Sequence, residues 1–204
     1  MVQMLVIIEN LEECPSPWLM SEYRYVADLF NNEVIFTNVK GKMRKALEGL
    51  GRVHEIGFDI LADGLSLRKV IILDPSAGEE LTHQDLRDAD AVVIGGIMGD
   101  YPPKERTKTM ITSRLPRGIP RNLGKKQLTI AGAAYVLKKI MEGRKLNELE
   151  IREGLTYTLR LGGAELVIEL PYAFPYEGGE PVLPPNYLEV VALRSVYYEG
   201  AEEC

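Results

Sequence analysis

Cysteine and histidine are scarce in this 204-residue chain, which has only Cys14, Cys204, His54 and His83. Two cysteines build no disulfide framework, and with two histidines they give no metal-ligand cluster. A reducing compartment and no metal are therefore expected, with both histidines solvated. Long apolar runs are missing too. The N-terminal run Met4 to Ile8 lacks a basic leader and stops at Glu9, which predicts a strand and neither a signal peptide nor a span. A cytoplasmic location without a membrane partner is the default. Neither G-x-G-x-x-G nor G-x-x-x-x-G-K-[ST] occurs, so phosphate cradling is not favoured. Positive charge is in deficit, with 24 Lys and Arg against 30 Asp and Glu and a net charge of −6. That balance argues against a broad grip on nucleic acid, which rests on neutralising phosphates, and suits attraction to a basic partner.

What is present suffices for a core. With 46% hydrophobic and 26% charged residues and no internal repeat, the chain reads as one domain, with a core over 1–142 and an extension over 143–204. Val2 to Ile8 is a predicted buried strand. Ser16 is an N-cap with Pro17 at the first helical position, and Leu19, Tyr23, Val26 and Phe30 then share a core-facing stripe. Trp18, Glu22 and Tyr25 share another face, which is either a second packed face or part of the mouth of a site beside Glu9. Val34 to Phe36 and Val70 to Leu73 are further strands, and Met43 to Leu50 is a short helix. Thr82 with Asp85 has the form of a capping box. Strands alternating with helices imply an α/β fold around a parallel sheet with right-handed crossovers. Gln127 to Ile130 is predicted as the last core strand, followed by a helix from Ala131 to Met141. After Gly143, Ile151 to Leu159 and Ala164 to Leu170 suit a β-hairpin turning near Gly162 and Gly163. Pro171 to Pro185 reads as an ordered loop, and Leu188 to Leu193 as a closing element.

The stretch from Ala91 to Ala134 organises the rest. Ala91 to Ile94 is a β-branched run ended by glycines, as in a strand buried on both faces that opens into a tight loop. In open α/β sheets such loops bind ligands. Gly95, Gly96 and Gly99 let a ligand come against the main chain, while Pro102 and Pro103 stiffen the exit. Downstream, Lys104, Arg106, Lys108, Arg114, Arg117, Arg121, Lys125 and Lys126 crowd one connection against Glu105 alone. They form either a solvated loop or a contact to substrate or cofactor.

The segment Gly95-Gly96-Ile97-Met98-Gly99-Asp100, then Pro102-Pro103 and Arg106-Thr107, followed by Arg121-Asn122-Leu123-Gly124 and Gln127-Leu128-Thr129, resembles the SPOUT methyltransferases. Within that class it resembles a branch first assigned to RNA and now including a eukaryotic protein-arginine methyltransferase that acts on a small-subunit ribosomal protein. Trp18-Leu19 with Glu22-Tyr23, Phe36 to Val39, Leu73-Asp74-Pro75 and Glu169 to Tyr172 extend the match from Glu9 to about Leu193. The resemblance implies a trefoil knot at the carboxyl edge of the sheet and S-adenosylmethionine as cofactor. By the same resemblance Gly95, Gly96, Ile97, Gly99, Asp100 and Pro102, with Leu123 and Gly124 and with Leu128, Thr129 and Ala133, form the three cofactor loops. Main-chain groups near Ile97, Leu123 and Leu128 would read the adenine edge. The family usually carries an acid between threonines after its last core strand, where this chain has Thr129-Ile130-Ala131-Gly132-Ala133.

Methyl transfer from a sulfonium depends mostly on positioning. An arginine acceptor is always protonated, so carboxylates must hold it and take the departing proton. Glu9, Asp100 and Glu22 are the candidates. Three functions follow: methylation of an arginine on a basic ribosomal protein, methylation of RNA gripped by the run from Lys104 to Lys126, or a non-catalytic module that binds the cofactor. The class is typically dimeric, and the sequence leaves a homodimer or a monomer open.

Overall fold

The computed structural model describes residues 4–99 and 104–194. Short apolar runs, buried nearly throughout in β1, β2, β4 and β5, form the central sheet: β1 (Leu5–Asn10), β2 (Val34–Thr37), β3 (Arg52–Val53), β4 (Val70–Leu73), β5 (Ala91–Gly96) and β6 (Ile119–Arg121). All are parallel, in the order β3-β2-β1-β5-β4-β6. A parallel sheet is covered on both faces, and strand parity decides which residue meets which layer. Val6, Ile8, Phe36, Ile71, Val92 and Ile94 join one core with helices α1 (Pro17–Leu29) and α6 (Ile130–Met141). Ile7, Ile35, Val70, Ile72 and Val93 join another with α3 (Phe58–Gly64) and with Ile111 and Leu115.

The helix starts follow their capping chemistry. The Ser16 hydroxyl accepts from the Leu19 amide at 3.2 Å, with Pro17 beginning α1. Thr82 and Asp85 close the predicted capping box at α4 (His83–Leu86). Helix α2 runs Gly41–Ala46 and stops short of the expected Leu50, ahead of Gly49 at φ +81°. Neither β3 nor α3 is predictable by pattern, since two residues show no alternation and α3 buries only Phe58, Leu61 and Ala62.

The last strand of the sheet differs from expectation. Gln127 to Ile130 is not a core strand: the Thr129 hydroxyl accepts from the Gly132 amide at 3.1 Å and starts α6 at Ile130, and Leu128 makes only an isolated bridge to Ala173. Its place is taken by β6, which lies between β4 and a returning loop. Ile119 to Arg121 pair with Ile71 to Leu73. On its other side Asn122 donates its amide to the Glu79 carbonyl, and its carbonyl accepts from the Leu81 amide.

Beyond the core, β7 (Glu150–Leu161) and β8 (Ala164–Glu177) form a long antiparallel hairpin with a short β9 (Glu180–Pro181). Gly162 and Gly163 turn it at φ +55° and +93°, a conformation that needs residues tolerating positive φ. The expected Pro-rich loop from Pro171 is instead a continuation of β8. Pro171 falls at the register irregularity opposite Gly154, where no ladder amide is required. The outer edge of β8 is bonded back to the core, with the Ala173 amide donating to the Gln127 carbonyl at 2.8 Å. Helix α7 (Tyr187–Glu189) and a wide turn over Val190–Arg194 close the described chain. Tyr187 and Val191 pack there on Ile168, Leu170 and Phe174.

No helix among the described residues is long and apolar enough to cross a membrane. Leu19 is fully buried between α1 and the sheet, so Leu19→Ala is expected to lower unfolding free energy by about 3 kcal/mol, read from urea denaturation with an unchanged m-value.

Candidate active site

The carboxyl ends of β4 and β5 open into a cleft of about 650 Å³ lined by Gly95, Ile97, Gly99, Leu123, Gly124, Leu128, Thr129 and Ala133, with Leu73, Ile94 and Ile130 as apolar walls. Eight of the predicted cofactor positions thus meet in one place. Three loops bring them together: the turn after β5, the bend after β6 and the first turn of α6. The lining is mostly apolar side chain and glycine main chain, with Asp74, Thr107, Lys126 and Gln127 as its other polar members. Gly99 leaves room there, because a Cβ at that position would fall on the Gln127 side-chain amide.

Gly96 has a different task from the one expected. A Cβ on it would strike the Tyr23 hydroxyl and come within 2.9 Å of the Glu9 carbonyl, so it makes room for α1 and does not line the cleft. Its carbonyl accepts from the Tyr23 hydroxyl at 3.2 Å, which also donates to Asn10 Oδ1 at 2.8 Å. Asp100 and Pro102 lie outside the described residues.

Glu9 is not at a mouth. It is 0% exposed and has the parity of Ile7, so its side chain enters the α3 side of the sheet. One carboxylate oxygen accepts from the Thr37 hydroxyl at 2.5 Å and the Phe58 amide at 2.9 Å, and the other is paired with Arg114, which also holds Asp59. A carboxylate so occupied braces the fold and has no oxygen facing the cleft, which corrects its placing as the leading catalytic candidate. The Arg114 guanidinium is raised further above its ordinary value by Glu9 and Asp59, against the opposing effect of burial.

Glu22 sits on the opposite face of the sheet and is 1% exposed. With Trp18, Tyr172, Thr129 and Ile130 it lines a narrow pocket that shares Ile97, Gly99 and Leu128 with the larger cleft. One oxygen accepts from the Tyr187 hydroxyl at 2.5 Å and the other from the Ala131 amide at 2.6 Å. The Trp18 and Thr129 side chains also lie within hydrogen-bonding reach of this carboxylate. Burial raises the Glu22 carboxyl above its ordinary value, against the lowering effect of the Tyr187 and Ala131 hydrogen bonds. The same burial, together with the Glu22 charge, holds the Tyr187 hydroxyl well above 10, so it stays a donor. Trp18 donates its indole N–H to the Tyr187 oxygen at 2.8 Å and meets Tyr172 edge to face at 6.2 Å. The Tyr172 hydroxyl donates to the Gly99 carbonyl at 2.8 Å. Tyr25, expected to share this face, is not among the residues lining the pocket.

Spacing alone does not reveal Tyr172, Tyr187 or Gln127 as site residues. Their only sequence signal is that Gln127 and Tyr172 fall within stretches that match the family. Three cations of the basic connection are paired with acids: besides Arg114, Arg117 pairs with Asp63 at 2.6 Å, and Arg121 with Glu79 and Asp85 at 3.0 and 3.2 Å.

A parallel sheet in this order, with its ligand cleft built from three loops at the carboxyl edge, belongs to the SPOUT class of α/β methyltransferases. The chain belongs to the family described as protein arginine N-methyltransferase SFM1-like, which it matches over residues 5–197. It is 27% identical over 207 residues to the protein arginine N-methyltransferase SFM1 of Saccharomyces cerevisiae, covering 92% of this chain and 94% of that protein. The crystal structure of yeast SFM1 complexed with SAM superposes with a TM-score of 0.81 at 26% identity, covering 96% and 93% of the two chains. The crystal structure of dual specific Trm10 from Thermococcus kodakaraensis shares the fold over 71% of this chain and 96% of its own, with a TM-score of 0.57 at 19% identity.

Removing one partner of the Glu9 and Arg114 pair leaves an uncompensated buried charge or unfilled donors. Glu9→Ala is expected to destabilise by about 3 kcal/mol, and Arg114→Met to destabilise in the same direction, both read by thermal and urea unfolding. An unchanged melting temperature for Glu9→Ala would reject the bracing role.

Proposed function

We propose that the protein transfers a methyl group from S-adenosylmethionine to an arginine side chain of a basic protein, with a ribosomal protein as the expected acceptor. The observation that carries this reading is the shared wall of the two pockets, where Ile97, Gly99, Leu128, Thr129 and Ile130 separate the larger cleft from a buried carboxylate flanked by aromatic rings. The family and the arginine-specific yeast relative point the same way.

The cleft fits the cofactor. Leu73, Ile94, Leu128 and Ala133 offer apolar contact to a purine and ribose, and main-chain groups at Ile97, Leu123 and Leu128 can satisfy a purine edge without side-chain donors. When bound, S-adenosylmethionine supplies an electrophilic methyl on a sulfonium. The chain's own part is to place an arginine nitrogen in line with that methyl and to manage its charge. Trp18 and Tyr172 give a guanidinium flat aromatic surfaces, and the Glu22 carboxylate holds its N–H groups by charge-assisted bonds. As the nitrogen–carbon bond forms and the carbon–sulfur electron pair returns to sulfur, the guanidinium must lose one N–H proton to keep a single positive charge. Glu22 is the acceptor for that proton, and its raised pKa strengthens it as a base. Tyr187 and the Ala131 amide fix the carboxylate so that little rearrangement is needed as charge moves.

The pairing of Arg114, Arg117 and Arg121 with acids weighs against RNA as acceptor, because the phosphate grip assumed for the basic connection is already partly neutralised. The deciding experiment is incubation with methyl-labelled cofactor and extract from the protein's own source, followed by ribonuclease or protease. Label that resists ribonuclease and is lost to protease is expected, and amino-acid hydrolysis should yield methylarginine. Ribonuclease-sensitive label would establish RNA instead, and absence of label beside intact cofactor binding would leave a non-catalytic module.

Glu22→Gln keeps the shape and an acceptor for the Ala131 amide but removes the base. It should leave cofactor affinity within a factor of two while lowering methyl transfer by about a hundredfold or more. In the wild type a protonated Glu22 neither binds a cation nor accepts a proton, so activity falls as pH drops through its folded-state pKa. Because burial raises that value, the acid limb should have its midpoint above 4.5 and be missing from the residual activity of Glu22→Gln.

A further inference from the structure

A second cleft adjoins the first across Gly99, Ile97 and Gln127, and its character is different. About 710 Å³ in size, it is lined by Asp74, Ser76, Lys104, Glu105, Arg106 and Lys125 among others. Charges of both signs around one small space suit a zwitterion. At the wall common to both clefts stands Gln127, whose Oε1 is, among the described residues, the one buried side-chain polar atom with no hydrogen-bond partner. A buried unsatisfied amide oxygen is costly, on the order of 1–3 kcal/mol, and a native structure that keeps one has a reason for it.

The rest of Gln127 is held. Its carbonyl takes the Ala173 amide at 2.8 Å from β8. Its Nε2 lies against Gly99, where any Cβ would collide with it, so the oxygen is the end left for a ligand. The nearby Asp74 is a poorer acceptor than its charge suggests. Only 2% exposed, it receives the Ser76 amide and hydroxyl at 2.9 and 2.7 Å on one oxygen and the Thr112 hydroxyl at 2.6 Å on the other. Arg106 crosses the floor of this cleft and donates to the Met98 carbonyl at 2.6 Å.

We propose that Gln127 is a specificity residue for the amino-acid end of the cofactor: its Oε1 accepts from the α-ammonium, and the α-carboxylate lies in the cation-lined cleft beyond. The inference rests on the reading of the first cleft as the nucleoside site. It makes the protein a sensor of the whole cofactor, because the nucleoside alone leaves Gln127 unsatisfied.

The test compares S-adenosylhomocysteine with 5′-methylthioadenosine, which keeps the nucleoside and lacks the amino-acid end, by isothermal titration on the full chain. Gln127→Met, close in volume and without the amide, should weaken S-adenosylhomocysteine about tenfold, the effect of losing one hydrogen bond to a charged group, and leave 5′-methylthioadenosine within twofold. Gln127→Ala, which leaves the backbone bond to Ala173 in place, is the second variant if Gln127→Met melts early. Equal weakening of both ligands, or no weakening of either, overturns the assignment. Failure of the wild type to bind both ligands overturns the nucleoside-site reading as well, so the two failures are told apart.

Discussion

The carboxylate of Glu22 joins three distant parts of the chain. It sits in the middle of α1, takes the amide of Ala131 in the first turn of α6, and takes the hydroxyl of Tyr187 from the closing segment. Helix amides near an N-terminus have no partner within the helix, and a carboxylate is favoured there by the helix dipole. The interaction therefore fixes the angle at which α6 leaves Thr129, and that turn is one wall of the cleft. Truncating Glu22 would remove both an N-terminal partner of α6 and the anchor of the C-terminal segment.

Strand parity at the end of β1 separates two acids that look alike. Glu9 and Asn10 are neighbours, yet Glu9 points into the α3 layer and Asn10 toward Tyr23 in α1. Glu9 is consumed by Thr37, Phe58 and Arg114, so both of its oxygens are occupied within the fold. Glu22 accepts from the Tyr187 hydroxyl and the Ala131 amide, and burial pushes its pKa in the direction a base needs. The difference between a brace and a catalytic candidate lies in what surrounds each carboxylate.

Charge follows the same logic. The connection from Lys104 to Lys126 looks like a basic grip in sequence, but Arg114, Arg117 and Arg121 reach back to acids on α3, the loop after β4 and α4. These pairs tie the connection to the fold.

The sequence by itself determined the parallel α/β architecture, the glycine cleft after β5 and the capped starts of α1 and α4. Each of these is written in local pattern: β-branched runs, residues without a Cβ, and a hydroxyl three positions before an amide. The eight cleft residues were legible because they lie in loops that directly follow strands or open a helix. Tertiary structure decided the rest. It placed Ile119–Arg121 in the sheet instead of Gln127 to Ile130, since a three-residue strand is defined by its partners, here β4 and the loop at Glu79, and not by any pattern of its own. It carried β8 through Pro171, because the irregularity opposite Gly154 excuses the missing amide. It brought Tyr172 and Tyr187 to Glu22 from about 150 and 165 residues along the chain, a separation at which spacing carries no information. It also spent Glu9 on Arg114, because the side of the sheet on which a strand-end carboxylate finds its cation depends on which helix packs there.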